Sequence, residues 1–136
     1  TVEDTARVVS NYADVIAMCV PSTSTTYHLL NAERIASLKP DAIIINAGRG
    51  DAIESQALAD ALADGRISGA ALDVTEPEPL PANSPLWCEP KCLITPHVAG
   101  GNHLEITERS IISIALGNVR CYANGQSLDN RMPLKG

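Results

Sequence analysis

At 136 residues the chain is one domain at most, yet long enough to bury a sizeable core. Hydrophobic residues make up 45% of it but aromatics only 3%, with no Phe, so any core must be built from Ile, Val, Leu and Ala. A net charge of −6 leaves no basic stripe to meet phosphates, which argues against nucleic acid as a partner, and no apolar run approaches membrane-spanning length.

In chain order, residues 1–12 read as a short helix or the tail of one, with Thr1 and Asp4 spaced as a capping pair. Asp14 leads into a buried-strand candidate over 15–20, which Pro21 stops. A polar loop covers 22–26, and Asn31 is placed to cap a short helix reaching about Leu38, closed by the Lys39-Pro40-Asp41 turn. Residues 42–45 form a continuous run, Ala-Ile-Ile-Ile, of the kind found in strands covered on both faces of a parallel sheet. Residues 54–64 carry Ala57, Leu58, Ala61 and Leu62 at helical spacing, with Gly65 as the residue that closes the helix. A third strand covers 68–74 and ends on Asp73.

Five of the nine prolines fall within 75–91, which reads as an ordered extended loop and not a helix. A fourth short strand, 92–95, is closed by Pro96-His97. Asn102 and Glu105 are spaced as a capping box for a long helix to about Ala123, with Gly125 at its end. The centre of that helix is apolar on more than one face, so burial is expected. Residues 126–136 read as a polar tail. Alternating strands and helices of this kind specify a parallel sheet with helical crossovers, an α/β fold.

Parallel strands share a direction, so their carboxyl ends lie along one edge, where open α/β sheets bind ligands. The four ends bring Val20-Pro21, Arg49, Asp73 and His97 to that edge. Gly48 and Gly50 flank Arg49 and free the backbone for a sharp turn and a close approach. Taken alone, that stretch fits a solvated arginine as well as a carboxylate clamp. With His97 and the glutamates at 76 and 78 it makes an acid–base site, in which arginine fixes an anionic carbonyl substrate and histidine moves a proton. A glutamate on the other ring nitrogen would hold the histidine's tautomer. On spacing alone Glu76 and Glu78 are equal candidates for that glutamate. His28 and His103 show no such company and read as bystanders.

These residues resemble a known family. Asn46-Ala47-Gly48-Arg49-Gly50, then Gly69-Ala70-Ala71-Leu72-Asp73-Val74 with Glu78-Pro79, then Thr95-Pro96-His97-Val98-Ala99-Gly100, are similar to the three signature blocks of the D-isomer-specific 2-hydroxyacid dehydrogenases. Val20-Pro21 with Thr26 and Leu30-Asn31, and Pro85-Leu86-Trp87, also fit that pattern. The resemblance implies a partial Rossmann-like, doubly wound parallel sheet of about four strands with a long carboxyl-terminal helix. It implies an NAD-dependent oxidoreductase, NADP being left open, that interconverts a small D-2-hydroxy acid and its 2-oxo acid. Arg49 would bind substrate, His97 would donate the proton, and Glu78 would partner His97. Asp73 would hold the nicotinamide end of the cofactor. Ala47, Gly48, Val98, Ala99 and Gly100 would contact it through the backbone, and Val20, Pro21 and Thr26 would line the adenosine side.

Two departures stand out. Thr75 occupies a position where an aromatic residue is common, which implies looser packing beside the site. No G-x-G-x-x-G and no ribose-binding acid precede these strands. The expected organisation is therefore the second half of an NAD-binding domain over 1–101, the long helix over 102–124 and a tail over 125–136. The phosphate-binding half and the substrate domain are absent from this sequence, which reads as a fragment. Alternatives on the same scaffold are a non-catalytic, NAD-sensing corepressor-like protein and an inactive isolated lobe. The family pattern suggests a homodimer, with 81–87 as a candidate contact. No signal-peptide pattern opens the sequence. Cys19, Cys88, Cys92 and Cys121 are scattered and read as reduced thiols of a cytoplasmic protein. Cys88 and Cys92 lie close together, but Cys19 and Cys121 sit in apolar segments and make poor co-ligands, so no metal is expected.

Overall fold

A computed structural model describes residues 4, 9, 11–101 and 104–131. Thr1, Asn102 and His103 lie outside the described residues, and with them the capping pairs expected at 1–4 and 102–105 and the reading of His103. The chain forms two compact units, 1–99 and 100–136.

The first unit holds β1 (Val15–Met18), α1 (Ala32–Ala36), β2 (Ile43–Asn46), α2 (Ser55–Ala63), β3 (Gly69–Leu72) and β4 (Cys92–Ile94). The strands form one sheet in the order β1-β2-β3-β4, every neighbouring pair parallel. The expected α/β architecture is therefore observed. Local chemistry sets the boundaries: the Asn31 side chain accepts from the Arg34 N–H at 3.0 Å and starts α1, and Gly65, at φ +67°, closes α2.

The core lies on one face of the sheet. Ile16, Met18, Ile44, Ala70 and Leu72 point into it from the strands, and Ile35, Leu58, Ala61 and Leu62 meet them from the two helices. The other face is open among the described residues, so burial alternates along β1 and β2. Ile43 and Ile45 are 39% and 38% exposed, which corrects the expectation that β2 is covered on both sides. Its β-branched run suits two-sided burial, but both crossover helices pack on the same side.

The loop expected over 75–91 also contains a short 3-10 turn (Pro85–Trp87), capped by the Ser84 side chain, which accepts from the Leu86 N–H. A second 3-10 turn (Gly50–Ala52) follows Arg49.

The second unit contains α3 (Glu105–Ala123), closed by Gly125 at φ +66°. No residue of α3 is buried, contrary to expectation, and Ile111, Ile112, Leu116 and Val119 are all exposed. Helical periodicity marks where apolar side chains fall but does not supply a covering partner. The segment after it is tied back to α3. The Asp129 N–H donates to Asn118 Oδ1 at 2.8 Å, and Asn118 Nδ2 donates to the Asp129 carbonyl at 3.1 Å. Among the described residues no helix is long and apolar enough to cross a membrane.

Candidate active site

The sheet register brings the strand exits together. Met18 pairs with Asn46, Asn46 with Leu72, and Leu72 with Ile94, so the residues that follow emerge side by side along one edge. Arg49 follows β2 and His97 follows β4, the two strands that flank β3.

The turn carrying Arg49 is built by Asn46. Its amide is fully buried, with Nδ2 donating to the Arg49 carbonyl at 2.9 Å and Oδ1 accepting from the Gly48 N–H at 3.1 Å. Both glycines of the turn are required by close approach. A β-carbon at Gly48 would lie 2.7 Å from the Val20 carbonyl oxygen, and one at Gly50 would meet the Thr75 carbonyl. Arg49 itself is exposed, and its Nη1 donates to the Gly48 carbonyl at 2.8 Å. Among the described residues it has no carboxylate partner.

His97 sits at φ +54°, a left-handed backbone uncommon for a residue with a side chain, held by its N–H donating to the Asp73 carbonyl at 2.9 Å. Its Nδ1 lies 2.6 Å from Glu78 Oε1, which leaves Nε2 available. The choice that spacing left open between the two glutamates is resolved geometrically, because Glu76 faces a different histidine. His28 Nε2 donates to Glu76 Oε2 at 2.8 Å, so His28 is not the bystander the sequence suggested.

Asp73 is 8% exposed and braces the exit of β4. Its Oδ1 accepts from Thr95 Oγ1 at 2.6 Å and the Val98 N–H at 2.9 Å, and its Oδ2 from the Ala99 N–H at 2.8 Å. Burial pushes its carboxyl up, but these hydrogen bonds outweigh it and hold the group below the usual carboxylate value, with His97 adding a smaller effect.

Val20 and Pro21 form a ledge at the exit of β1, Val20 half-buried and Pro21 exposed, beside Ala47. Thr26 is buried beneath it, its hydroxyl donating to the Pro21 carbonyl at 2.6 Å and accepting from the Thr23 N–H at 2.9 Å. It shapes the ledge and has no free hydroxyl to offer. Gly100, at φ +73°, opens the second unit. Thr75 turns its hydroxyl onto the Pro77 carbonyl at 3.0 Å. A cavity of about 230 Å³ lies beside the dyad, lined by Asp73, Thr75, Glu78, Trp87, Thr95 and His97.

Sequence reasoning missed Asn46, Thr95 and His28 as working residues. An asparagine closing an apolar run is a turn signal that could have marked the first, whereas the partners of the other two lie 22 and 48 positions away.

A parallel sheet with braced strand exits and a histidine–carboxylate pair on its carboxyl edge is the framework of a dinucleotide-binding domain equipped for proton transfer. Residues 2–99 match the NAD binding domain of D-isomer specific 2-hydroxyacid dehydrogenases, and the chain belongs to that family. It is 39% identical over 113 residues to a glyoxylate reductase of Thermofilum pendens, covering 79% of this chain and 33% of that protein. A D-isomer specific 2-hydroxyacid dehydrogenase of Xanthobacter autotrophicus, crystallised with NADPH and MES, matches with a TM-score of 0.86 and 34% identity, over 96% of this chain and 52% of that one. D-lactate dehydrogenase of Lactobacillus jensenii, crystallised with NAD+, matches with a TM-score of 0.81 and 29% identity, over 93% and 42%. The chain thus spans about a third to a half of the length of these proteins.

Proposed function

We propose that this chain is the carboxyl-terminal half of the cofactor domain of an NAD(P)-dependent 2-oxoacid reductase, acting on a small acid such as glyoxylate, hydroxypyruvate or pyruvate. The phosphate-binding turn and the substrate domain would come from elsewhere in the protein. The observation that carries the reading is the His97–Glu78 pair on the same sheet edge as an arginine that has no carboxylate partner among the described residues.

The residues present fit a nicotinamide cofactor. A carboxylate has about four acceptor positions, and Asp73 uses three, leaving one on Oδ2 for a carboxamide N–H. Ala47, Gly48, Val98, Ala99 and Gly100 would meet the cofactor through their backbone, with Val20 and Pro21 beneath its adenosine end. The bound nicotinamide would supply or accept the hydride.

Arg49 would hold the substrate carboxylate through two parallel N–H donors, a geometry that an ammonium cannot reproduce. His97 would give its Nε2 proton to the carbonyl oxygen during reduction and take it back during oxidation. Glu78, accepting from Nδ1, fixes the tautomer and orients the ring while the charge on the imidazole changes.

A homodimer in the cytoplasm completes the proposal. Trp87 is 52% exposed, with Nε1 donating to the Pro81 carbonyl at 2.9 Å, a rigid apolar anchor that supports 81–87 as a subunit contact. Sedimentation of the wild type and Trp87→Ala tests the contact. NADH oxidation in the presence of each 2-oxo acid, by the full-length protein, tests the activity. Turnover lost in Arg49→Ala and His97→Ala supports the assignment, and turnover unchanged in both overturns it.

A further inference from the structure

The sheet edge holds more acid than the proposed reaction uses. Asp51 and Glu76 border the Arg49 turn, and Glu78 lies two residues beyond Glu76. An arginine with no carboxylate partner among the described residues, on an edge that carries three carboxylates, would ordinarily collapse onto one of them. Each acid instead has a partner other than Arg49: Asp51 Oδ2 accepts from Ser22 Oγ, although its Oδ1 is buried without a partner among the described residues, Glu78 pairs with His97, and Glu76 pairs with His28.

Glu76 is the acid whose alternative is most damaging. Its backbone runs against the turn, with its N atom 2.8 Å from where a β-carbon on Gly50 would sit. That places its carboxylate on a residue packed directly against the neighbour of Arg49. His28 is tied to the same turn, its N–H donating to the Asp51 carbonyl at 2.8 Å. His28 also carries a left-handed backbone, φ +46°, and its ring stacks on Tyr27 with centroids 4.0 Å apart. A strained, stacked histidine is a rigid fixture, and strain of this kind concentrates at functional sites.

We infer that His28 is a specificity-determining positioning residue: it captures the Glu76 carboxylate and so keeps Arg49 free to bind the carboxylate of the substrate. The inference rests on the reductase reading for its consequence in turnover, but not for the side-chain arrangement itself. Without His28, Glu76 turns to Arg49 and competes with the substrate.

The test uses the full-length protein and His28→Ala, His28→Gln, Glu76→Gln and the double variant His28→Ala with Glu76→Gln. Ala and Gln bear the same backbone cost at position 28, so their difference reports the side chain. In His28→Ala the KM for the 2-oxo acid should rise about fivefold at low ionic strength, with kcat changed less, and the rise should shrink as salt is added. His28→Gln, which still donates to Glu76, should recover most of the loss, and the double variant should return KM close to that of Glu76→Gln alone. A purely structural role would make the double variant no better than His28→Ala. A crystal structure of His28→Ala gives a reading independent of turnover, with Glu76 expected within ion-pair distance of Arg49. Glu76 remaining apart from Arg49 overturns the inference even if the enzyme is active. A wild-type protein that reduces no 2-oxo acid sinks the reductase reading instead, and the crystal structure still decides the role of His28.

Discussion

The carbonyl group of Thr75 occupies the space that a side chain on Gly50 would need. A β-carbon there would lie 1.9 Å from the oxygen and 2.1 Å from the carbon. Both atoms are backbone, so neither can swing aside. Gly50→Ala is expected to lose about 3 kcal/mol in denaturant unfolding, because relief requires the Arg49 turn to separate from the loop after β3. Gly117 in α3 is the contrast, with nothing within 4 Å of its added β-carbon. Gly117→Ala should gain about 0.5–1 kcal/mol through helix propensity. Equal effects of the two substitutions would contradict the contact.

Asn46 is expected to act on stability and on the site together. Asn46→Leu fills the same volume but leaves the Gly48 N–H without its partner and the Arg49 carbonyl with only the Ala52 N–H, at 3.3 Å. The expected loss is about 1–3 kcal/mol, accompanied by a higher KM for a 2-oxo acid as Arg49 loses its fixed turn. A KM unchanged in a folded Asn46→Leu protein would show that the turn is held by something else.

Asp73 sets an acid limit. Its carboxyl is depressed in the folded protein, so the stability it contributes is present above the ordinary carboxylate value and is lost as pH falls through the lower, folded value. Unfolding free energy should therefore decline as pH drops below about 4. Asp73→Asn should start about 2 kcal/mol lower at neutral pH and lose less on acidification. Parallel acid declines in the two proteins would argue against a folded, hydrogen-bonded carboxylate at this position.

The cysteines should differ in reactivity. All four are free, with Cys19 and Cys88 exposed, whereas burial, with Glu89 adding, pushes the Cys92 thiol up to about 11. At pH 8 only about 0.1% of Cys92 is thiolate. Alkylation followed by peptide mass mapping should find Cys92 modified well after Cys88, and equal rates would contradict its burial.

Local signals in the sequence carried most of the fold. Asn31 at the start of α1, Gly65 after α2 and the short apolar runs of the four strands depend on neighbours within a few positions, and each element forms where those neighbours place it. Coverage was not legible in the same way. The run at 42–45 reads identically whether one or both of its faces are packed, and the Ile-rich centre of α3 reads as core whether or not anything covers it. The site divided along the same line. Strand direction alone collected Arg49, Asp73 and His97 on one edge. The choice between Glu76 and Glu78, and the engagement of His28, depend on loop geometry across tens of residues, which no local pattern encodes.

Arg49→Lys should be nearly as harmful to kcat/KM as Arg49→Ala, since the lysine keeps the charge and loses the two-pronged contact. Retention of most activity in Arg49→Lys would mean that Arg49 supplies charge alone.

His97, held by Glu78, is the proposed proton donor of a 2-oxoacid reductase. The most direct measurement is glyoxylate-dependent NADH oxidation by the full-length wild type and His97→Asn, with NADH binding followed by fluorescence in both. Turnover by the wild type and a fall of about 10²–10⁴-fold in kcat for His97→Asn, with NADH still bound, are expected. A His97→Asn protein that turns over within a few-fold of the wild type would contradict that role.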